Sequence, residues 1–375
     1  MKWQRHAQAL AAAATRPSSP WRPAVEQTPR HLLVPNWWTN SENFGWKLHH
    51  GTEDPDAWVG AAYDHEITMV TRVGTLHADH ATQPPGQWSG PTSSSTMPML
   101  TLTMLGLADI QHKHRVLDLG TGSGYATALL ARTLGADGVV SLDVDPYLVH
   151  AATDRLAQQG LKPHIATTDA TGPLPVDPCD RIVATFSVPR IPPAWLECLV
   201  TGGRLVTTIT GTGVIVVADK TPDGGAAGKI AYERGTFMAA RHTDPSPEPL
   251  WRQKIDSDTE EPVWGRYPVV DIGRTWTLRS MLALAVPGLE HHTDHSRNEM
   301  TVWLYAPDGS WACATGALRE QALIRQGGPQ RLWDRLESIQ ARQLAEELPV
   351  YGANVRIEPD GAMTISRGQW STHIA

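Results

Sequence analysis

Apolar and polar positions along this chain follow two rhythms, one in the middle and one towards the end. From Val116 to Leu119 an apolar run broken only by Asp118 reads as a short strand. After Gly120, Gly122 and Gly124 the apolar positions of YATALLA recur at helical spacing. A buried-type β run follows at 139–145 (VVSLDVD), and a third strand in HIATTDA ends at Asp169. A fourth covers 181–185, a helix lies around 195–199, and Gly202-Gly203 turns the chain into a fifth strand at 204–209. This alternation predicts an α/β, doubly wound domain. From Val214 the period becomes two. VIVVAD and KIAYER flank the turn-rich TPDGGAAG as a hairpin, and GTFMAARH (235–242) is expected to close the sheet as its last strand.

Beyond the linker-like TDPSPEP (243–249), two Pro-Asp-Gly turns at 307–309 and 359–361 join short β runs, TVWLY to SWACA and NVRIE to AMTIS. Between them Leu332, Leu336, Ile339, Leu344 and Leu348 share one helical stripe. A smaller C-terminal α+β domain is predicted. The expected division is an N-terminal Pro/Trp-rich extension and lid (1–80), a core (81–242) and the C-terminal unit (243–375). Within the extension, Pro17, Pro20, Pro23, Trp37, Trp38, Trp46 and Trp58 argue against regular secondary structure. The tryptophans are expected to pack on the core as a lid, or alternatively to line a peptide groove.

Composition narrows the class. With 375 residues, two domains are expected, and 41% hydrophobic with 19% charged residues can bury a core. A net charge of -7 offers no broad attraction to nucleic acid. Cys179, Cys198 and Cys313 lack metal-type or paired spacing, which points to a reduced, cytoplasmic protein. No stretch approaches the ~18 apolar residues of a membrane span. The N-terminal alanine run at 7–14 is short and contains Gln8, and it reads as a frayed helix rather than a signal peptide.

The glycine turn carries the candidate chemistry. Its glycines permit a tight bend and a close approach of ligand to backbone, beside the free N–H groups of a helix N-terminus. The spacing is G-x-G-x-G, with Thr121 and Ser123 between the glycines, rather than the dinucleotide G-x-G-x-x-G. A carboxylate at Asp118 would repel a pyrophosphate and suits a ligand bearing an ammonium and a sulfonium. Asp143, at the next strand end, can accept both ribose hydroxyls, and Asp169 with Ala170 is placed for an adenine amino group. The pattern reads as a methyl-donor site. His77 with His80, and His291 to His295, read as solvated loop residues, so no metal is expected.

These stretches carry a resemblance. TPRHLLVP (28–35), AYDHEIT (62–68), SSSTMPMLTLTML (93–105), VLDLGTGSGYATALLA (116–131), DRIVAT (180–185), IPPAWLECLVTGGRLV (191–206) and GTFMAARH resemble the class I S-adenosylmethionine methyltransferases, in particular the protein-L-isoaspartate O-methyltransferases. The likeness spans roughly 25–242. It implies a Rossmann-like, seven-stranded sheet, S-adenosyl-L-methionine as cofactor with S-adenosyl-L-homocysteine as product, and a peptide substrate. Tyr63 and Asp64 match that family and are expected to orient the loop 76–91.

The family's Q-T-I-S-x-P motif, whose hydroxyls lie beside the methyl donor and the substrate carboxylate, aligns with Ser93, Ser94, Ser95, Thr96, Met97 and Pro98. The isoleucine has become Ser95 and the serine Thr96, so the pocket wall is expected to be more polar. One hydroxyl suffices to cap the helix beginning near Met97. Four exceed that need, and Thr96, Ser95 and Ser94 are the expected catalytic contacts. Variants with such a change and an added C-terminal domain resemble methyltransferases of ribosomal peptide pathways (lanthipeptide and graspetide).

The leading reading is therefore an O-methyltransferase acting on an aspartate of a modified, cyclised ribosomal precursor peptide and leading to succinimide and isoaspartate, with neither nucleic acid nor membrane as partner. The alternative is protein-L-isoaspartate repair, and a third is a binding module without catalysis. A carboxylate of pKa about 3.9 is ionised at pH 7, so its methylation needs alignment and desolvation rather than a general base. The C-terminal unit is expected to recognise peptide or form a dimer contact, and its deletion to abolish selectivity.

Overall fold

The computed structural model of the chain describes residues 2–40, 45–83, 85, 89–242, 249–252, 260–296, 298–317, 319–346 and 350–375. Ten strands form the central sheet: Val116–Leu119 (β1), Val139–Asp143 (β2), His164–Thr167 (β3), Cys179–Val188 (β4), Leu199–Ile209 (β5), Val214–Lys220 (β6), Ala226–Arg234 (β7), Asn354–Ile357 (β8), Met363–Arg367 (β9) and Trp370–Ile374 (β10). Their spatial order is β10-β9-β8-β7-β6-β5-β4-β1-β2-β3. Strands β3, β2, β1, β4 and β5 are parallel, and β5 onward is antiparallel. A parallel strand covered on both faces buries every residue and reads as a near-continuous apolar run. All four residues of β1 are buried, Asp118 included.

Two differences from the predicted sheet share one cause. The stretch 235–242 forms no strand; its tie to the sheet is an isolated bridge between Ser187 and Ala239. The edge it was expected to occupy is taken by β8, which pairs with β7 through Ala227↔Arg356 and its neighbours. The sheet thus has ten strands in place of seven, and 235–242 is free to run elsewhere.

The N-terminal segment is more ordered than its proline content implies. Helices Trp3–Ala14, Arg22–Gln27, Arg30–Leu33 and Pro55–Tyr63 accompany a second sheet built from Asn36–Asn40, Trp46–His50, Met69–Val73, Leu76–His77 and Pro91–Ser95. Ala7, Leu10 and Ala11, at helical spacing, are buried, so the first helix is docked rather than frayed. Trp21, Trp37, Trp38 and Trp58 are buried, and Trp58 Nε1 donates to the Val34 carbonyl at 2.7 Å. They build core. Tyr63 OH lies 2.7 Å from His31 Nδ1, and Asp64 accepts the Glu66 N–H. The loop after Leu76 is held instead by Asp79, bonded to Asn36, Tyr147 and Arg155, and by His77, 3.1 Å from Asp145.

The region 243–375 is divided. Strands Val263–Pro268, Glu290–His295, Glu299–Tyr305, Trp311–Ala317 and Gln321–Gly327 form a separate antiparallel sheet, packed with helices Trp276–Ala285 and Leu332–Glu346, while the last 22 residues return to the central sheet. On the second helix Leu332, Trp333 and Leu336 are buried, but Leu344 is 68% exposed. Leu348 and residues 243–248 of the expected linker lie outside the described residues. His291 to His295 belong to a strand, not a loop. Among the described residues no helix is long and apolar enough to cross a membrane.

Candidate active site

A cavity opens at the C-terminal ends of β1, β2 and β4, the place where a doubly wound sheet offers a crevice. Gly120, Gly122 and Gly124 all have positive φ, at 95°, 51° and 81°. Their conformation excludes most side chains, and space does too. A Cβ on Gly120 would lie 2.9 Å from Thr185 Oγ1, and one on Gly122 would lie 3.2 Å from the Ser94 carbonyl. Gly120 and Gly122 line the cavity. Gly124 caps the helix Tyr125–Leu134 and packs toward Ala152.

Asp143, at the end of β2, lines the cavity and is almost fully buried. Its Oδ2 accepts the Gly122 N–H at 2.9 Å and its Oδ1 the Asp145 N–H at 3.0 Å, which ties the glycine turn to the second strand. Burial raises its pKa against these hydrogen bonds. Asp169 and Ala170 line the same cavity beyond β3. Asp169 Oδ1 accepts the Thr171 N–H and hydroxyl at 2.9 and 2.7 Å, its Oδ2 lies 2.9 Å from His242 Nδ1, and Trp195 Nε1 donates to the Ala170 carbonyl at 2.6 Å.

Asp118 does not face this cavity. Fully buried beneath the turn, it accepts the Thr127 and Ser141 hydroxyls on Oδ2 at 2.6 and 2.9 Å, and Oδ1 is without a hydrogen-bond partner among the described residues. Desolvation pushes its pKa up to about 6. Thr121, bonded to Ser141 at 2.7 Å, and Ser123 are likewise buried away from the lining. Ser141 joins Asp118 to Thr121, so a buried hydrogen-bonded group underlies the turn.

The hydroxyl cluster lies on the strand Pro91–Ser95 and its extension. Ser94 and Thr96 are half-buried and both line the cavity, as do Thr92 and Ser93. Ser95, expected to contact substrate, is 1% exposed and outside the lining, with its Oγ accepting from Arg30 Nε at 3.3 Å. Between Ser94 and Thr96 the extended chain turns Ser95 to the opposite face, where Arg30 also donates to its carbonyl. None of the hydroxyls caps the helix Pro98–Leu107, whose N-cap residue is Met97; the Met97 N–H is taken by Thr68 Oγ1 at 3.0 Å.

Residues that the sequence reading missed complete the wall: Thr68, Thr185, Phe186 and 236–241. Thr185 and Phe186 lie near the end of β4, where the crevice rule for such sheets places ligand contacts, and that signal was available. The position of 236–241 was not. The titratable residues of the lining are Asp143, Asp169 and Arg241. The cavity therefore combines a glycine cradle, two carboxylates at successive strand ends and a hydroxyl-rich wall. That set fits an adenosyl donor on one side and an acceptor that arrives already ionised on the other.

A family model described as Protein-L-isoaspartate(D-aspartate) O-methyltransferase matches residues 82–239. A protein-L-isoaspartate O-methyltransferase of Anaeromyxobacter dehalogenans is 34% identical over 173 residues, which is 45% of this chain and 80% of that one. The chain belongs to this family. Its members are S-adenosylmethionine-dependent carboxyl O-methyltransferases. Relatives from Korarchaeum cryptofilum and Pyrococcus horikoshii are 29% and 35% identical over 135 and 132 residues. Those matches cover 33% and 35% of this chain, and they span 61% and 59% of the relatives' own lengths. A solved protein-L-isoaspartate O-methyltransferase structure aligns over 99% of this chain and 98% of its own with a TM-score of 0.51 and 16% identity, which is a likeness of fold.

Proposed function

We propose that this family member methylates the side-chain carboxylate of L-isoaspartyl residues in proteins or peptides, with S-adenosylmethionine as donor. One observation carries the choice of acceptor: of the motif positions that depart from the family pattern, Ser95 faces Arg30 rather than the cavity, while Ser94 and Thr96 keep hydroxyls on its wall. The departure at Ser95 therefore lies off the cavity wall. Gly120, Gly122, Asp143, Asp169 and Ala170 would hold the donor, which supplies an electrophilic methyl group. Ser94 and Thr96 donate to one carboxylate oxygen and leave the other free to attack. No general base is needed, since the acceptor is ionised at neutral pH. The methyl ester so formed can close to a succinimide without further help from the protein: the next backbone nitrogen attacks the ester carbonyl, loses its proton and expels methanol.

A second reading keeps the aspartate of a modified ribosomal peptide as acceptor. It is favoured by the C-terminal sheet outside the family-matched stretch, whose edge strand Val263–Pro268 exposes Val263 and Trp264, the latter by 71%. One assay separates the two. Purified protein and donor are mixed with matched peptides carrying L-isoaspartate, linear L-aspartate or L-aspartate in a constrained ring, and the mass is followed. A gain of one methyl on the isoaspartyl peptide alone is expected. Methylation restricted to the ring aspartate would replace the first reading with the second.

A further inference from the structure

The stretch 235–242, released from the sheet edge, crosses the cavity as a strap, and 236–241 form part of the wall. It is fastened in three places. The Gly235 N–H donates to the Gly213 carbonyl at 3.3 Å. In the middle the Ser187 N–H donates to the Met238 carbonyl and the Ala240 N–H to the Ser187 carbonyl, both at 2.8 Å. At the far end His242 Nδ1 lies 2.9 Å from Asp169 Oδ2 and 3.1 Å from Thr171 Oγ1. Thr171 occupies Asp169 Oδ1 with two hydrogen bonds, so Oδ2 is the oxygen shared between strap and cavity.

We propose that His242 is a positioning residue that latches the strap to Asp169, so that donor retention and the shape of the acceptor wall depend on each other. The inference rests on reading this cavity as the donor site. The geometry gives the coupling a direct route: one carboxylate serves the latch and faces the donor, while the latched segment supplies the wall. Burial acts to raise the Asp169 pKa, but the His242 and Thr171 hydrogen bonds outweigh it and hold it below its ordinary value. The other charged or titratable groups near the latch are Arg241 on the strap itself, and Arg72, His77 and Asp145, which share the adjacent cavity with His242. Losing the His242 hydrogen bond would free Asp169 Oδ2 and the far end of the strap together. The side chains are 61% and 41% exposed, which limits the effect to about fivefold.

The test measures S-adenosylhomocysteine binding by calorimetry for the full chain, His242→Ala and His242→Asn, together with the KM for an isoaspartyl peptide. Since His242 is exposed, both variants are expected to fold, and melting curves check this. His242→Ala should weaken binding about three- to fivefold and raise the peptide KM. His242→Asn, which keeps a hydrogen-bond donor, should restore most of the affinity and the KM. Wild-type affinity and KM in His242→Ala would overturn the latch. Failure of the unaltered chain to bind S-adenosylhomocysteine would instead overturn the reading of the cavity as a donor site.

Discussion

Thr96 and Asp143 both line one cavity, and the proposed function divides its work between them. In that proposal Thr96 would offer a hydroxyl to an ionised acceptor, a charge-assisted hydrogen bond. Asp143 accepts the Gly122 N–H and, in the same proposal, would hold the donor. Thr96→Ala should lower turnover on isoaspartyl peptide about ten- to a hundredfold while leaving S-adenosylhomocysteine affinity near wild type. Asp143→Ala should weaken that affinity at least about tenfold. Steady-state kinetics and calorimetry on both variants check the split, and a fully active Thr96→Ala would remove the hydroxyl wall from catalysis. Ser95 shows where residue type alone misleads. Four consecutive hydroxyls look equivalent in the sequence, but extended backbone sends Ser95 to Arg30, whose fully buried guanidinium also donates to the Ser95 and Thr96 carbonyls.

At the scale of elements, the chain's last three strands decide most. β8 pairs with β7, and Val355, Ile357, Met363, Ile365 and Ile374 are buried in the cluster that also contains Leu117, Ile182 and Trp195. Removing residues 354–375 would strip those side chains from the core and leave β7 as an open edge. The shortened chain should aggregate or melt far below the full chain; a soluble product with an unchanged melting temperature would show that the three strands are dispensable. For the same reason, deletion of 243–375 cannot isolate a recognition role, because it removes part of the central sheet. The hairpins 299–317 and 354–367 were legible from their Pro-Asp-Gly turns, whereas their membership of different sheets was not. A turn is encoded locally, but the partner of a strand edge is chosen by whichever distant segment can cover it.

The stability of the whole molecule carries a signature of the buried turn. Asp118, raised from 3.8 to about 6, binds its proton more tightly in the folded than in the unfolded state. Its contribution to stability is therefore greatest below pH 4 and falls as pH rises from about 4 to about 6, by on the order of 2–3 kcal/mol. Asp118→Asn is neutral at every pH and should lack this term. The melting temperature of the unaltered chain minus that of the variant should be larger at pH 5 than at pH 7, and an equal difference would refute the buried, unpaired Oδ1 as its source. His31, lowered to about 4 by burial and by the N-terminal charge, loses stability as pH falls from 6.5. The comparison with the variant cancels that opposing trend.

What this sequence determined by itself is the part written in short-range pattern: the strand–glycine–helix opening, the acids at successive strand ends, the two hairpins and the α/β class. Each depends on backbone conformations that a few neighbouring residues dictate. Tertiary structure alone decided which side of the hydroxyl strand faces the cavity, that Asp118 lies under the turn, and that the tryptophans near the N-terminus are core. It also decided that β8 displaces 235–242 from the sheet edge and leaves it to wall the site. These outcomes turn on competition between segments far apart in the chain for the same edge or the same buried volume, and no local pattern records the winner.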